Sequence, residues 1–168
     1  MKKIKTPVKT EVIETLDIGD RVEIYGKIFT GRDAALPKLV KKLEDGSNLL
    51  DLEGSVIMHT AVSDAGIAPT SSNKEDIEGS IPLLAKYGVK IHLGKGILKQ
   101  ETIDTLNTEN SVYVVTPPVA ALLTSKVLFK KVAAFSEEGM EAIYELEVDG
   151  IPGIVAAAHG KSIYNKSN

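Results

Sequence analysis

The chain has 168 residues, 43% of them apolar and 26% charged, with a net charge of −3. That is the composition of one globular domain, 1–168, and it leaves no electrostatic footprint for nucleic acid. The absence of cysteine excludes disulfides and any zinc or iron–sulfur centre held on this chain's own thiolates.

No apolar run approaches the ~20 residues that span a bilayer. The basic start, MKKIK with Lys9 beyond it, reads as a solvated end, because it lacks the apolar segment of a secretory signal. The expected location is therefore the cytoplasm, without membrane contact.

In chain order, residues 2–20 read as an edge strand and a turn at IGD. RVEIYGKIFT places Val22, Ile24 and Ile28 on one side, a period-two strand. After TGRDAALP, where Asp33 can cap and Pro37 fits a first turn, Leu36, Leu39, Val40 and Leu43 recur at helical spacing up to Gly46. GSVIMHTAV reads as a short buried strand. A loop of small residues leads to a helix from about Asn73 to Tyr87, with Ile77, Ile81 and Leu84 as its apolar stripe and Gly88 as its C-cap. VKIHL is a strand, GKG a turn, ILKQETIDTLN a helix and SVYVV a strand, and TPPVAALL opens a fourth helix. The tail, AIYELEVDGIPGIVAAAHGKSIY, reads as two strands joined by a hairpin turn at Asp149-Gly150. Strands alternating with helices predict an α/β fold with a mainly parallel central sheet, plus antiparallel strands from the two ends of the chain.

Three stretches place a cation where a strand gives way to a helix: Arg32 in TGRDAA, Lys74 in PTSSNKED and Lys95 in GKG. In open α/β sheets, sites form at the carboxyl ends of strands, so three such turns can share one pocket. Each has a plainer reading. Ser72 with Glu75 fits a capping box, Arg32 can pair with Asp33 or another neighbour, and GKG can be a simple turn, since it lacks the phosphate-loop frame. Once Ser72 caps the helix, Thr70 and Ser71 are left over at its positive end, where backbone N–H groups favour an anion such as a carboxylate. The three histidines, His59, His92 and His159, show no metal-ligand spacing and read as structural.

Taken together, GDRVEIYGKIFTGRDAALPKL, HTAVSDAGIAPTSSNKEDIE, GVKIHLGKG and GIVAAAHGKSIY resemble the beta subunit of the iron–sulfur-dependent hydro-lyases, the class I fumarate hydratases and L(+)-tartrate dehydratases. The resemblance runs from about residue 10 to Tyr164. It implies a swivelling β/β/α domain. It also implies roles: Arg32 binds a substrate carboxylate, Thr70 takes part in proton transfer, and Lys95 lies in the active site. Ala68 and Ser71 stand where the family's GPTT motif has glycine and a second threonine. Leu36 replaces a histidine, and Lys74 replaces a frequent arginine. Lysine lacks arginine's planar fork, so Lys74 would hold a carboxylate as a point charge, with Ser71 beside it.

The resemblance further implies a reversible hydration of fumarate to (S)-malate, with L(+)-tartrate dehydration as the alternative. Expelling hydroxide calls for a Lewis acid, which this chain does not supply. The resemblance puts it on a separate alpha subunit as a [4Fe-4S] cluster. The partners expected are that subunit, a small dicarboxylate and a second copy of this chain through a beta–beta contact, with no nucleic acid or membrane. A small-anion binding module without catalysis is the competing class.

Overall fold

The structure is a computed structural model describing residues 1–68, 70 and 74–164, with the backbone alone at 74–77. Its strands are β1 (Lys2–Lys5), β2 (Arg21–Thr30), β3 (Ser55–Met58), β4 (Val62–Ser63), β5 (Gly66–Ile67), β6 (Val89–Gly94), β7 (Val112–Val115), β8 (Val127–Ala134), β9 (Ile143–Ala158) and β10 (Lys161–Ser162). The helices are α1 (Thr10–Glu14), α2 (Leu36–Glu44), α3 (Lys74–Lys86), α4 (Gln100–Thr108) and α5 (Ala120–Ser125), and a 3-10 helix spans Ser136–Glu141. Among the described residues no helix is long and apolar enough to cross a membrane.

Strands β1, β2, β3, β6 and β7 run parallel in that spatial order, and β9 is antiparallel to β2, β7, β8 and β10. Because β9 pairs with β7 at one end and with all of β2 along its length, the sheet closes into a ring. Inside it, alternate residues meet: Ile24 and Ile28 of β2, Val56 and Met58 of β3, Ile91 and Leu93 of β6, Val114 of β7 and Leu146 of β9. The residues between them face the helices. Phe29 and Ile57 pack against Leu36 and Leu39 of α2 and Leu84 of α3, while Tyr113 packs with Ile81 of α3 and Ile103 of α4. The period-two alternation of each strand therefore builds two cores, one inside the ring and one beneath the helices. Each fully buried Leu or Ile contributes roughly 1.5–3 kcal/mol to them.

The α/β class with parallel and antiparallel strands matches the sequence reading, but several details differ. Asp149-Gly150 is not a hairpin; β9 runs straight through it. Tyr25 pairs with Asp149 and Ile24 with Ile151, so Gly150, at φ 88°, is an extra residue bulged out of the ladder. Strand β8 carries no period-two apolar signal, and five consecutive residues in it are exposed, Leu128 and Phe129 among them. A short helix, α1, occupies part of what reads as strand and turn. Helix α2 begins at Leu36, and its N-cap position is Ala35 rather than Asp33. The fourth helix starts at Ala120, past the prolines. Ser71 and the proposed cap Ser72 lie outside the described residues, as do the side chains of Lys74, Glu75 and Ile77.

Candidate functional site

The parallel ladder continues past the last residue of each strand. Gly31 N–H donates to the Met58 carbonyl at 3.1 Å, His59 N–H to Leu93 at 3.0 Å and Thr116 N–H to Gly94 at 3.1 Å. The carboxyl ends of β2, β3, β6 and β7 are thus level with one another. Arg32 follows β2, Thr60 follows β3 and Lys95 follows β6. At ~4.8 Å per strand, the β2 and β6 ends stand about 10 Å apart, with β3 between them.

Arg32 is fixed by a turn. Its carbonyl accepts from Ala35 and Leu36 N–H at 3.2 and 3.0 Å. Leu36 presses on Gly31 so closely that a Cβ there would lie 2.9 Å from the leucine side chain. The Arg32 Nε lies 3.4 Å from Glu141 Oε1, both side chains about one-third exposed. The long-range ionic partner is thus Glu141, a residue that local sequence gives no means of selecting.

Thr70 is buried, and its loop is tied back to the end of β3. Ala68 N–H donates to the Ala61 carbonyl at 2.9 Å, and the Thr60 hydroxyl donates to the Ala68 carbonyl. Thr70 follows that anchor by two residues.

Lys95 is half-buried. Its turn is set by Tyr113 on the neighbouring strand β7, whose hydroxyl donates to the Lys95 carbonyl at 2.7 Å. The ring leaves no room at Gly94, where a Cβ would fall 2.8 Å from the phenol oxygen. Burial pushes the Tyr113 phenol well above its usual range, so it remains a donor. At the other side of the turn, Glu78 of α3 accepts from Lys99 N–H and, at 3.0 Å, from the Thr102 hydroxyl. The turn is thereby fastened to both β7 and α3.

Between these elements lie His59 and His92, fully buried, with His59 Nε2 3.1 Å from His92 Nδ1. Burial lowers the His59 pKa to about 4, and burial together with His59 holds His92 well below the usual histidine range. Both rings are therefore neutral at pH 7. His159, at φ 53°, belongs to the β9–β10 turn and lies 3.9 Å from Asp17.

The strand ends thus bring the Arg32, Thr70 and Lys95 segments to one edge of the sheet. Among the described residues, no group of three or more His, Asp or Glu is arranged to hold a metal. The residues present do not fit an iron–sulfur cluster, since no thiolate exists in the chain.

Comparison with known proteins gives this edge its context. The family model described as Fumarase C-terminus matches residues 2–167. A provisionally named L(+)-tartrate dehydratase beta subunit of Methanocaldococcus jannaschii is 34% identical over 172 residues, covering 93% of this chain and 87% of that protein. The L(+)-tartrate dehydratase beta subunit of Shigella boydii is 27% identical, covering 96% and 79%. The aerobic class I fumarate hydratase of Escherichia coli K12 is 25% identical over 148 residues, covering 82% of this chain and only 27% of that enzyme. The match thus spans most of the length of the two tartrate dehydratase beta subunits and about a quarter of the length of the fumarate hydratase. Matched over all but its first and last residues, it belongs to the fumarase C-terminus family.

Proposed function

We propose that this chain is the beta subunit of a two-subunit hydro-lyase that interconverts fumarate and (S)-malate, and that Arg32, Thr70 and Lys95 are its contribution to a shared active site. The observation that carries the reading is the level row of strand ends, which sets two cations and a buried hydroxyl on neighbouring turns. A four-carbon diacid presents two carboxylates, and the two cations supply a counter-charge for each. Arg32 offers a planar fork that takes a carboxylate through two parallel hydrogen bonds. Lys95 offers a point charge that stabilises the negative charge building up as a proton leaves the carbon beside the second carboxylate, most effectively where water is excluded. Thr70 carries that proton. Its hydroxyl is weakly acidic, so on this reading it needs a cation such as Lys95 to help it do so.

The cluster belongs, on this reading, to the alpha subunit, because this chain has no cysteine to ligate it. L(+)-tartrate is the second reading, favoured by the high mutual coverage with two proteins of that name.

The test is co-expression with a cysteine-bearing alpha subunit under anaerobic conditions, followed by steady-state assays on fumarate, malate and tartrate. Arg32→Ala should lower kcat/KM ten- to a hundredfold, since a charge-assisted hydrogen bond is worth about 1.5–3 kcal/mol. Unchanged turnover in that variant removes Arg32 from the site. Tight dicarboxylate binding by the isolated chain, measured by calorimetry, would favour a non-catalytic module instead.

A further inference from the structure

Glu141 lies on the 3-10 helix after β8, remote in sequence from the Arg32 turn, yet it is attached to that turn twice. Its Oε1 stands 3.4 Å from Arg32 Nε and accepts the Ala34 N–H at 3.3 Å. The same 3-10 helix is fastened to the first turn of α2, where Lys38 pairs with Glu138 and, at 3.5 Å, with Glu137. The segment is therefore a brace against the Arg32 turn.

The point of contact on the guanidinium matters. The group has five N–H donors in a rigid plane, one on Nε and four on the two Nη atoms. Glu141 engages the Nε side, and no further carboxylate is found on the Nη pair among the described ion pairs. That pair forms one of the guanidinium edges that can grip a carboxylate with two parallel bonds, and it is the edge that the Nε contact leaves open. A pair this exposed adds only about 0–1 kcal/mol to folding, too little to make stability its main effect.

We propose that Glu141 is a positioning residue: it grips Arg32 by Nε so that the Nη fork is held ready for a substrate carboxylate, and it thereby sets affinity for the diacid. This rests on Arg32 being in the site. Free rotation of an arginine side chain must otherwise be frozen at each binding event, and prior orientation removes that cost.

The test uses the assembled two-subunit enzyme and compares Glu141→Ala, Glu141→Gln and Glu141→Asp with Arg32→Ala. Glu141→Ala should raise KM for malate five- to tenfold with kcat within twofold. Glu141→Gln, which keeps an acceptor at the same reach, should recover most of the affinity. Glu141→Asp keeps the charge but not the reach, and should resemble the alanine variant; it also carries the test if the alanine variant does not fold. In an Arg32→Ala background, Glu141→Ala should have no further effect.

A lowered KM in Glu141→Ala would overturn the proposal, because the carboxylate would then be competing with substrate for Arg32. An unchanged KM alongside an impaired Arg32→Ala would overturn the positioning role alone. Full activity of Arg32→Ala would instead overturn the site on which the role depends.

Discussion

The buried His59–His92 pair predicts a loss of stability in mild acid. The rings lie 5.3 Å apart between centroids, tilted by 36°, with one hydrogen bond between them. Their outer nitrogens, His59 Nδ1 and His92 Nε2, have no partner among the described residues. A proton on either ring is therefore left without compensation in the folded protein. In the unfolded chain both histidines take up protons at about pH 6.5, whereas folded His59 does so only at about 4 and burial beside His59 holds His92 well below the usual range. Between those limits the unfolded state binds more protons, so stability is full above pH 6.5 and falls as pH drops towards 4.

The slope is about 1.4 kcal/mol per pH unit for each ring. From pH 7.5 to 5.0 the loss is roughly 2 kcal/mol for His59 alone, a sizeable fraction of a typical 5–15 kcal/mol, and His92 shifts stability in the same direction. Urea unfolding at several pH values would measure it, with wild type compared against His59→Asn/His92→Leu. The double variant should lose that part of the pH dependence, whatever its stability at pH 7.5. Equal slopes in the two proteins between pH 7 and 5 would refute the reasoning.

Two further predictions concern packing. Tyr113→Phe removes the only side-chain donor described on the Lys95 carbonyl. It should cost about 1–2 kcal/mol in urea unfolding and loosen the Lys95 turn, seen as faster amide exchange at Gly96 and Ile97. Two glycine-to-alanine changes should have opposite signs in thermal unfolding. At Gly66, φ is +125° and a Cβ would lie 2.3 Å from Thr124, so Gly66→Ala should lower stability by more than about 1 kcal/mol. Gly79, in the middle of α3 with open space around its Cβ position, should gain up to about 1 kcal/mol as alanine.

Much of the fold was legible because it is written in local periodicity. β2 and β6 show their alternation, and α2 its recurrence at Leu36, Leu39 and Val40. β8 escaped because Lys130 and Lys131 interrupt any apolar pattern, and the strand exists by pairing with β9 rather than by burying a face. The Asp149-Gly150 dipeptide carried a turn signal, but ten paired positions between β2 and β9 absorb it as a bulge. At the site, Arg32 and Lys95 were recognisable by their place after a strand. Glu141 and Tyr113 were not, since each meets its partner only through the tertiary fold. The pairing of His59 with His92 was equally hidden: each reads alone as a core residue, and only the β3–β6 register sets them face to face.

The ring of strands also governs the order in which the molecule can be made. β2 ends at Thr30, but its antiparallel neighbour β9 begins only at Ile143, so a ribosome releases the two strands far apart in time. Until then β2 offers a naked flank to any passing strand, and its inward-facing isoleucines have no lid. Closure is thus a late, long-range event, of the kind that slows folding to milliseconds or seconds and invites aggregation meanwhile. For a cell making this polypeptide, the hazardous interval is the one between synthesis of the Arg32 turn and arrival of the strand that seals the ring behind it.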